Sequence, residues 1–294
     1  MEPDIKILDD LSFSPDKEKV LALSGKTIFI KVGGNALTDK QVKKNIASQI
    51  CIIKKLGGKP VIVHGGGIVI KNLLAEVGLK SEFIGGHRKT DAESIRFIEM
   101  ALSGSVNKEL VRIFNSLGVK SVGISGKDGG LVTCKKRKHK HTENGNTKML
   151  DLGFVGDVVS INPDLVKTLL DAGYLPIISP ISMGRDGKDY NINADMFAGH
   201  MAGALKAEKF VALTNIDGLL KNVEDLNSII HHLSISEATN LFGTVIQGGM
   251  IPKVEACTTA LKNGVQSTHI INGTNKEELL RMMLTTDKLG TTIR

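Results

Sequence analysis

Two stretches in the first quarter of the chain share one design, and it restricts the fold more than anything else in the sequence. Thr27-Ile28-Phe29-Ile30-Lys31-Val32 runs into Gly33-Gly34, and Pro60-Val61-Ile62-Val63-His64 runs into Gly65-Gly66-Gly67. Thr, Ile, Val and Phe suit a pleated, buried surface, and paired glycines let the backbone turn sharply and approach a ligand. After the second glycine run, Ile68, Ile70, Leu73, Leu74 and Val77 recur at helical spacing. A strand, a glycine turn and a helix N-terminus gather free N–H groups and the positive end of a helix dipole at one point, which suits an anion. Lys31 lies within the first strand, where a cation is costly without a negative partner. A lysine snorkelling from the strand's end fits the same letters. Two such turns on neighbouring strands point instead to a site for a phosphorylated substrate.

Between them, Asp39 to Leu56 has Val42, Ile46, Ile50 and Ile53 at helical spacing and stops at Gly57-Gly58. This β-α-β-α opening predicts a parallel sheet. Glu82 to Thr90 is an excursion rich in glycine and charge, and Asp91 reads as the N-cap of a long helix reaching about Leu117. A strand at 119–124 ends in Ser125-Gly126-Lys127-Asp128-Gly129-Gly130, which lacks the G-x-x-x-x-G-K-[ST] spacing of a P-loop. Residues 131–161 read as a β-hairpin. The α/β rhythm then returns: helix 163–172, strand 174–179, a short pair of strands, a helix with Ala198, Ala202 and Ala204, and strand 210–214. Helices near 234–242, 252–263 and 275–284 and a strand at 268–271 complete it. Residues 1–26 form an extension, and a lobe boundary is expected near 180, giving lobes 27–180 and 181–294.

The net charge of +7 raises nucleic acid as a partner. Much of the excess lies in Lys135-Lys136-Arg137-Lys138-His139-Lys140-His141, beside the turn-rich Glu143-Asn144-Gly145-Asn146. No aromatic residue interleaves with that run and the chain has no Trp, so a solvated hairpin arm is the expectation and no nucleic-acid partner is. No run of about 18 apolar residues exists, so no membrane span is expected. Met1-Glu2-Pro3-Asp4 is acidic and has no apolar core segment, so no secretory leader is expected there. Cys51, Cys134 and Cys257 have no metal spacing and read as reduced thiols of a cytoplasmic protein.

Five segments in a fixed order carry a resemblance: Ile30-Lys31-Val32-Gly33-Gly34, His64-Gly65-Gly66-Gly67, Gly126-Lys127-Asp128-Gly129, Asn191-Ile192-Asn193-Ala194-Asp195 and Gly249-Met250-Ile251-Pro252-Lys253. From about residue 27 to its end the chain resembles the amino acid kinase family. Arg88-Lys89-Thr90-Asp91 and Leu152-Gly153-Phe154-Val155-Gly156 resemble the branch that phosphorylates the side-chain carboxylate of N-acetyl-L-glutamate in arginine synthesis. The resemblance implies an α/β fold, a three-layer αβα sandwich around a mostly parallel sheet, with the acyl substrate in the N-terminal lobe and ATP in the C-terminal lobe. It implies that Lys31 and Lys253 neutralise the phosphoryl group and that Asp195 holds both ammonium groups. Gly65 and Gly66 would hold the substrate with Arg88 and Asn191; Gly33, Gly34, Thr214, Asn215 and Gly218 would serve ATP, together with Lys253. Asn215 stands where many relatives carry Asp. Mg2+ would arrive with ATP and need no protein cage. L-arginine as an inhibitor and a homodimer or hexamer belong to the same resemblance, although Pro3 and Pro15 interrupt the extension and the Asp287–Thr291 tail is short.

Each residue also has a plainer reading. Arg88 suits a surface salt bridge; Asn191 and Asn193 suit turns, with Asn193 capping the helix of Asp195. Asp195 could simply face a helix dipole, whereas Lys253 just after Pro252 is a cation at the unfavourable end of one. His64 reads as a satisfied histidine at a strand end. Rival functions are a sister kinase for another carboxylate, carbamate or a carrier-linked aminoadipyl group, and a non-catalytic sensor of the same fold. A dinucleotide-binding oxidoreductase fails because no G-x-G-x-x-G follows either opening strand.

Overall fold

The computed structural model describes residues 5–143 and 146–294. The first four residues and Asn144-Gly145, the tip of the expected hairpin, lie outside the described residues. The extension carries α1 (Lys17–Ala22), capped by Asp16, whose carboxylate accepts from the amides of Glu18 and Lys19. β1 (Thr27–Val32), α2 (Lys40–Lys55), β2 (Lys59–His64) and α3 (Gly67–Glu76) form the expected opening. A small hairpin, β3 (Phe83–Ile84) and β4 (His87–Arg88), precedes α4 (Ser94–Glu99) and α5 (Asn107–Ser116). β5 (Ser121–Ser125) leads into the long hairpin β6 (Val132–Glu143) and β7 (Asn146–Ile161). There follow α6 (Asp164–Asp171), β8 (Leu175–Ser179), β9 (Ile181–Gly184), β10 (Asp189–Ile192) and α7 (Ala194–Ala204). The remainder is β11 (Lys209–Thr214), β12 (His232–Leu233), α8 (Ile235–Asn240), α9 (Ile251–Lys262), β13 (Ser267–Asn272), α10 (Glu278–Leu284) and β14 (Thr291–Ile293).

Eight strands form one sheet in the order β12-β14-β13-β11-β1-β2-β8-β5, parallel except where β14 meets β13. β1 therefore has a paired neighbour on both sides, and side chains alternate across it. Ile28, Ile30 and Val32 join one buried cluster, with Ile46 and Ile50 of α2 and Phe114 of α5. Phe29 joins a second, with Phe197 and Ala198 of α7 and Val254 and Ala256 of α9, and Ile95 and Ile98 of α4 belong to a third, with Ile70 and Leu74 of α3. Each fully buried side chain of that size contributes about 2–3 kcal/mol. The sheet is thus the middle of three layers, as expected. Alternation also puts Lys31 on the face of Phe29, toward α7 and α9.

Three features were not expected. β6, β7, β9 and β10 close on one another as a four-stranded barrel. β12, two residues long, is too short for a periodic signal. The helix from Asp91 is continuous with α5, but Met100–Val106 between α4 and α5 is π-helical, with one extra residue in the turn. Apolar spacing survives on both sides of it (Ile95, Ile98; Leu110, Phe114), so periodicity reads straight through.

The basic run behaves as a hairpin arm. Lys135 stands opposite Asp157 and Lys138 opposite Asp151; Lys136 pairs with Asp151 at 2.7 Å and Arg137 pairs with Asp157. All three cysteines are buried and free. Among the described residues no helix is long and apolar enough to cross a membrane.

Candidate active site

The site begins with two helix starts. Asn193 caps α7 as expected, its Oδ1 accepting from the N–H of Asp195 at 2.9 Å and of Met196 at 3.2 Å. Asp195 therefore sits in the first turn of α7, and Lys253 sits in the first turn of α9 after Pro252. The two helices run close together because Gly199 has no side chain: a Cβ there would lie 2.4 Å from the carbonyl oxygen of Ala256. This brings Lys253 Nζ to 3.4 Å from Asp195 Oδ2. From β1, Lys31 Nζ reaches Asp195 Oδ1 at 2.9 Å. Lys31 and Asp195 are each only 6% exposed. Burial opposes ionisation of Asp195, but the ammonium groups of Lys31 and Lys253 overcome it and hold the carboxyl below its ordinary value. Burial draws the Lys253 ammonium down, Asp195 opposing and Lys31 adding to the effect. Two cations on one buried carboxylate leave a positive excess, the condition for receiving an anion. The ammonium of Lys31 lies folded over the glycine turn, since a Cβ on Gly33 would stand 2.6 Å from its Nζ.

The second turn is organised differently. The N–H of Gly65 donates to the carbonyl of Val32 at 2.9 Å, tying the two turns together. That amide is therefore spent on the backbone. Gly66 starts α3 with no side-chain cap, so the helix N-terminus is left for something else to satisfy. Gly34, at φ +62°, has open space on its Cβ side.

Arg88 corrects its plainer reading. It is 7% exposed, and burial lowers the tendency of its guanidinium to hold a proton. Among the described residues it meets no carboxylate at ion-pair distance. Its guanidinium lies 4.5 Å from the centre of the Phe83 ring and donates to the carbonyl of Gly67 at 2.9 Å and to the hydroxyl of Ser81. The pairing of β3 with β4, Phe83 opposite Arg88, sets that stacking.

A cavity of about 260 Å³ brings together Lys31, Gly33, Gly34, Gly65, Gly66, Arg88, Asn191 and Asp195. Lys253 reaches it through Asp195. Phe83 and His87 also line it and escaped the reading of single motifs; Val155 and Ala194 line it too, within the quoted Leu152–Gly156 and Asn191–Asp195 segments, and register with Asn191 places Val155 there. Thr214, Asn215 and Gly218 lie apart from this cavity's lining. Thr214 ends β11 and its hydroxyl donates to Asn215 Oδ1 at 3.5 Å. Gly218 packs against the last strand, where a Cβ would meet Thr291 Oγ1 at 2.9 Å.

The sequence and the fold have counterparts. Acetylglutamate kinase of Heliobacterium modesticaldum is 46% identical over 92% of this chain and 92% of its own length. Acetylglutamate kinase of Caldanaerobacter subterraneus is 45% identical over 92% of this chain and 88% of its own. In fold, an N-acetylglutamate synthase from Neisseria gonorrhoeae, solved with coenzyme A and N-acetyl-glutamate, superposes with a TM-score of 0.77 at 23% identity. The match covers 94% of this chain and 61% of the synthase. Giardia carbamate kinase superposes with a TM-score of 0.66 at 19% identity, over 92% of this chain and 99% of its own. The pattern of the amino acid kinase family matches residues 26–272. The chain belongs to the amino acid kinase family.

Proposed function

We propose that this chain transfers the γ-phosphoryl group of ATP to the side-chain carboxylate of N-acetyl-L-glutamate, giving N-acetyl-L-glutamyl 5-phosphate, as a cytoplasmic enzyme of arginine biosynthesis. One observation carries the reading. Lys31 and Lys253 share a single buried carboxylate, and the same cavity holds the Arg88 guanidinium, which has no acid partner among the described residues. A substrate with two negative ends answers both. The relatives named above support the choice of acceptor.

Arg88 clamps the α-carboxylate, for which a guanidinium fork is suited. Asn191 binds the same end through its amide. A Cβ on Gly65 would stand 3.9 Å from Ala194 Cβ and 4.0 Å from Gly33 Cα and the Val32 oxygen, so the glycine keeps the floor of the cavity low beneath the acyl group. The N–H groups of Gly66 and Gly34 face the phosphoryl group in flight. Lys31 and Lys253 neutralise its oxygens, each worth a few kcal/mol, the order of one oxyanion donor. Asp195 keeps both ammonium groups in place before the reaction starts. The attacking carboxylate is ionised at neutral pH, so no general base is needed.

ATP is held from the other half, residues 181–294, by Thr214, Asn215 and Gly218, with Gly33 and Gly34 at its phosphates; residues 27–180 serve the acyl substrate. Mg2+ travels with the nucleotide and offsets charge on the phosphates. Asp195 is the single carboxylate among the lining residues, and both its oxygens face ammonium groups. That donor set fits a metal held by phosphate oxygens and water rather than by side chains. A homodimer or hexamer and inhibition by L-arginine belong to the same reading. Sedimentation tests the first, and added arginine the second.

The experiment is ADP release from Mg-ATP with N-acetyl-L-glutamate, and in parallel with glutamate, aspartate and carbamate. Turnover confined to N-acetyl-L-glutamate is expected. Turnover on a different acceptor moves the substrate to a sister enzyme's, and none on any overturns the proposal.

A further inference from the structure

His64 lies just before the second glycine turn and is wholly buried, yet the reaction above uses none of its chemistry. Its surroundings fix where its proton sits. Burial pushes the ring down to about 4, so it is neutral at pH 7 and carries one proton. The carbonyl oxygen of Gly65 lies 2.9 Å from Nδ1 and can only accept, which puts the proton on Nδ1. Nε2 then accepts from the amide nitrogen of Asn107 at 3.1 Å. Asn107 is held in that orientation, because its amide also donates to the carbonyl of Ile177 at 2.9 Å and its oxygen accepts from Lys108 Nζ at 3.3 Å.

The consequence lies one peptide further on. The Gly65–Gly66 bond is trans, so its C=O and N–H point in opposite directions. With the carbonyl drawn to the buried ring, the N–H of Gly66 points away from that ring, and Gly66 itself lines the cavity. Glycines on both sides leave this peptide free to rotate. Turned over, it would present a carbonyl oxygen to an incoming anion in place of an amide. We propose that His64 is a positioning residue, whose Nδ1–H holds the Gly65 carbonyl down and thereby aims the Gly66 N–H at the transferred phosphoryl group. The assignment rests on the phosphoryl-transfer reading of the cavity.

Two substitutions separate this role from simple packing. In His64→Asn the side-chain amide can stand where Nδ1 stood and still hold Gly65, while Asn107 loses its acceptor. In His64→Gln it can stand where Nε2 stood and still serve Asn107, while the Gly65 carbonyl is released. Turnover should fall about 10- to 100-fold in His64→Gln and stay within about threefold in His64→Asn, because a misaimed oxyanion donor costs rate; His64→Asn should melt lower. A His64→Gln enzyme with unchanged kcat, or equal losses in both variants, overturns the proposal. The ring ¹⁵N shifts of His64 in the unsubstituted protein give a readout free of any assay. Protonation at Nδ1 is expected, and protonation at Nε2 overturns the proposal outright. An unsubstituted protein inactive on every carboxylate would defeat the functional reading, while the tautomer would still decide the geometry.

Discussion

The cavity around Lys31 and the turn at 214–218 both follow a parallel strand of one sheet, and they satisfy their polar groups in opposite ways. Around Lys31 the groups are aimed at something other than protein. Two ammonium groups share one carboxylate, Arg88 stacks on Phe83 with no acid partner among the described residues, and α3 starts uncapped. At 214–218 the protein answers its own groups. Asp217 accepts from Asn272 at 2.7 Å and from Asn275 at 3.2 Å, Leu219 N–H donates to Thr291 Oγ1 at 2.8 Å, and Gly218 presses on the last strand. An excess of buried charge needs its counter-ion to be at rest. A turn that is already satisfied can meet a ligand only through shape and remaining backbone. Substitutions in the first region should therefore strike chemistry, and in the second, architecture and nucleotide affinity.

The largest effect is expected at the shared carboxylate. Lys31→Ala and Asp195→Ala should each lower kcat by about a thousandfold, about 4 kcal/mol, measured by ADP release. An Asp195→Ala enzyme within tenfold of the original would remove the distinction between the regions. Acid should treat the two regions alike. His64, under the cavity, is pushed down to about 4, and His269, beside β11, to about 3, burial being the main cause in each. Both rings are neutral when folded and free to take a proton near pH 6.5 when unfolded. Their contribution is therefore complete above about pH 6.5 and is lost as pH falls toward the folded values. By pH 5 each ring should cost about 2 kcal/mol, visible as a drop in Tm between pH 7.5 and 5. A Tm flat over that range would contradict the burial of both.

Arg88→Ala should raise KM for N-acetyl-L-glutamate by about 30- to 100-fold, some 2–3 kcal/mol for a charge-assisted contact, with KM for ATP unmoved. Unchanged KM for the acyl substrate would break the assignment. Gly218→Ala should cost about 1–2 kcal/mol of stability, because φ there is +145° and the new Cβ would crowd Thr291 and Gly290. A lost kcat without a lowered Tm would place chemistry where the comparison places architecture. The smallest effect is expected for Asn215→Ala, a rise of about threefold in KM for ATP, the size of one neutral hydrogen bond.

Much of this was legible beforehand, for physical reasons that also mark where reading stops. The β-α-β-α opening is written in alternation, helical spacing and glycine, all local properties. Lys31 stood out because a cation in an apolar strand is a contradiction that only a partner resolves. The partner, Asp195, is 164 positions away, and its distance from Lys253 depends on Gly199 lying against Ala256, which no spacing encodes. Arg88 could not be told from a surface residue because its burial comes from Phe83, Gly67 and Ser81 around it. The amide of Gly65 looked free as a letter. It is occupied because β1 and β2 remain in register up to the turn.

The π-helical segment Met100–Val106 has a consequence for inheritance. Upstream of it Ile95 and Ile98 are buried, and downstream Leu110 and Phe114 are, so the π turn absorbs the surplus residue and two apolar stripes face their own cores. Loss of one codon there would return the segment to ordinary helix and leave both stripes facing as they do, whereas loss of one codon in the ordinary helix on either side would rotate one stripe by about 100° relative to the other. Single-codon deletions within Met100–Val106 should therefore survive more often than the same deletions in the flanking α-helical turns.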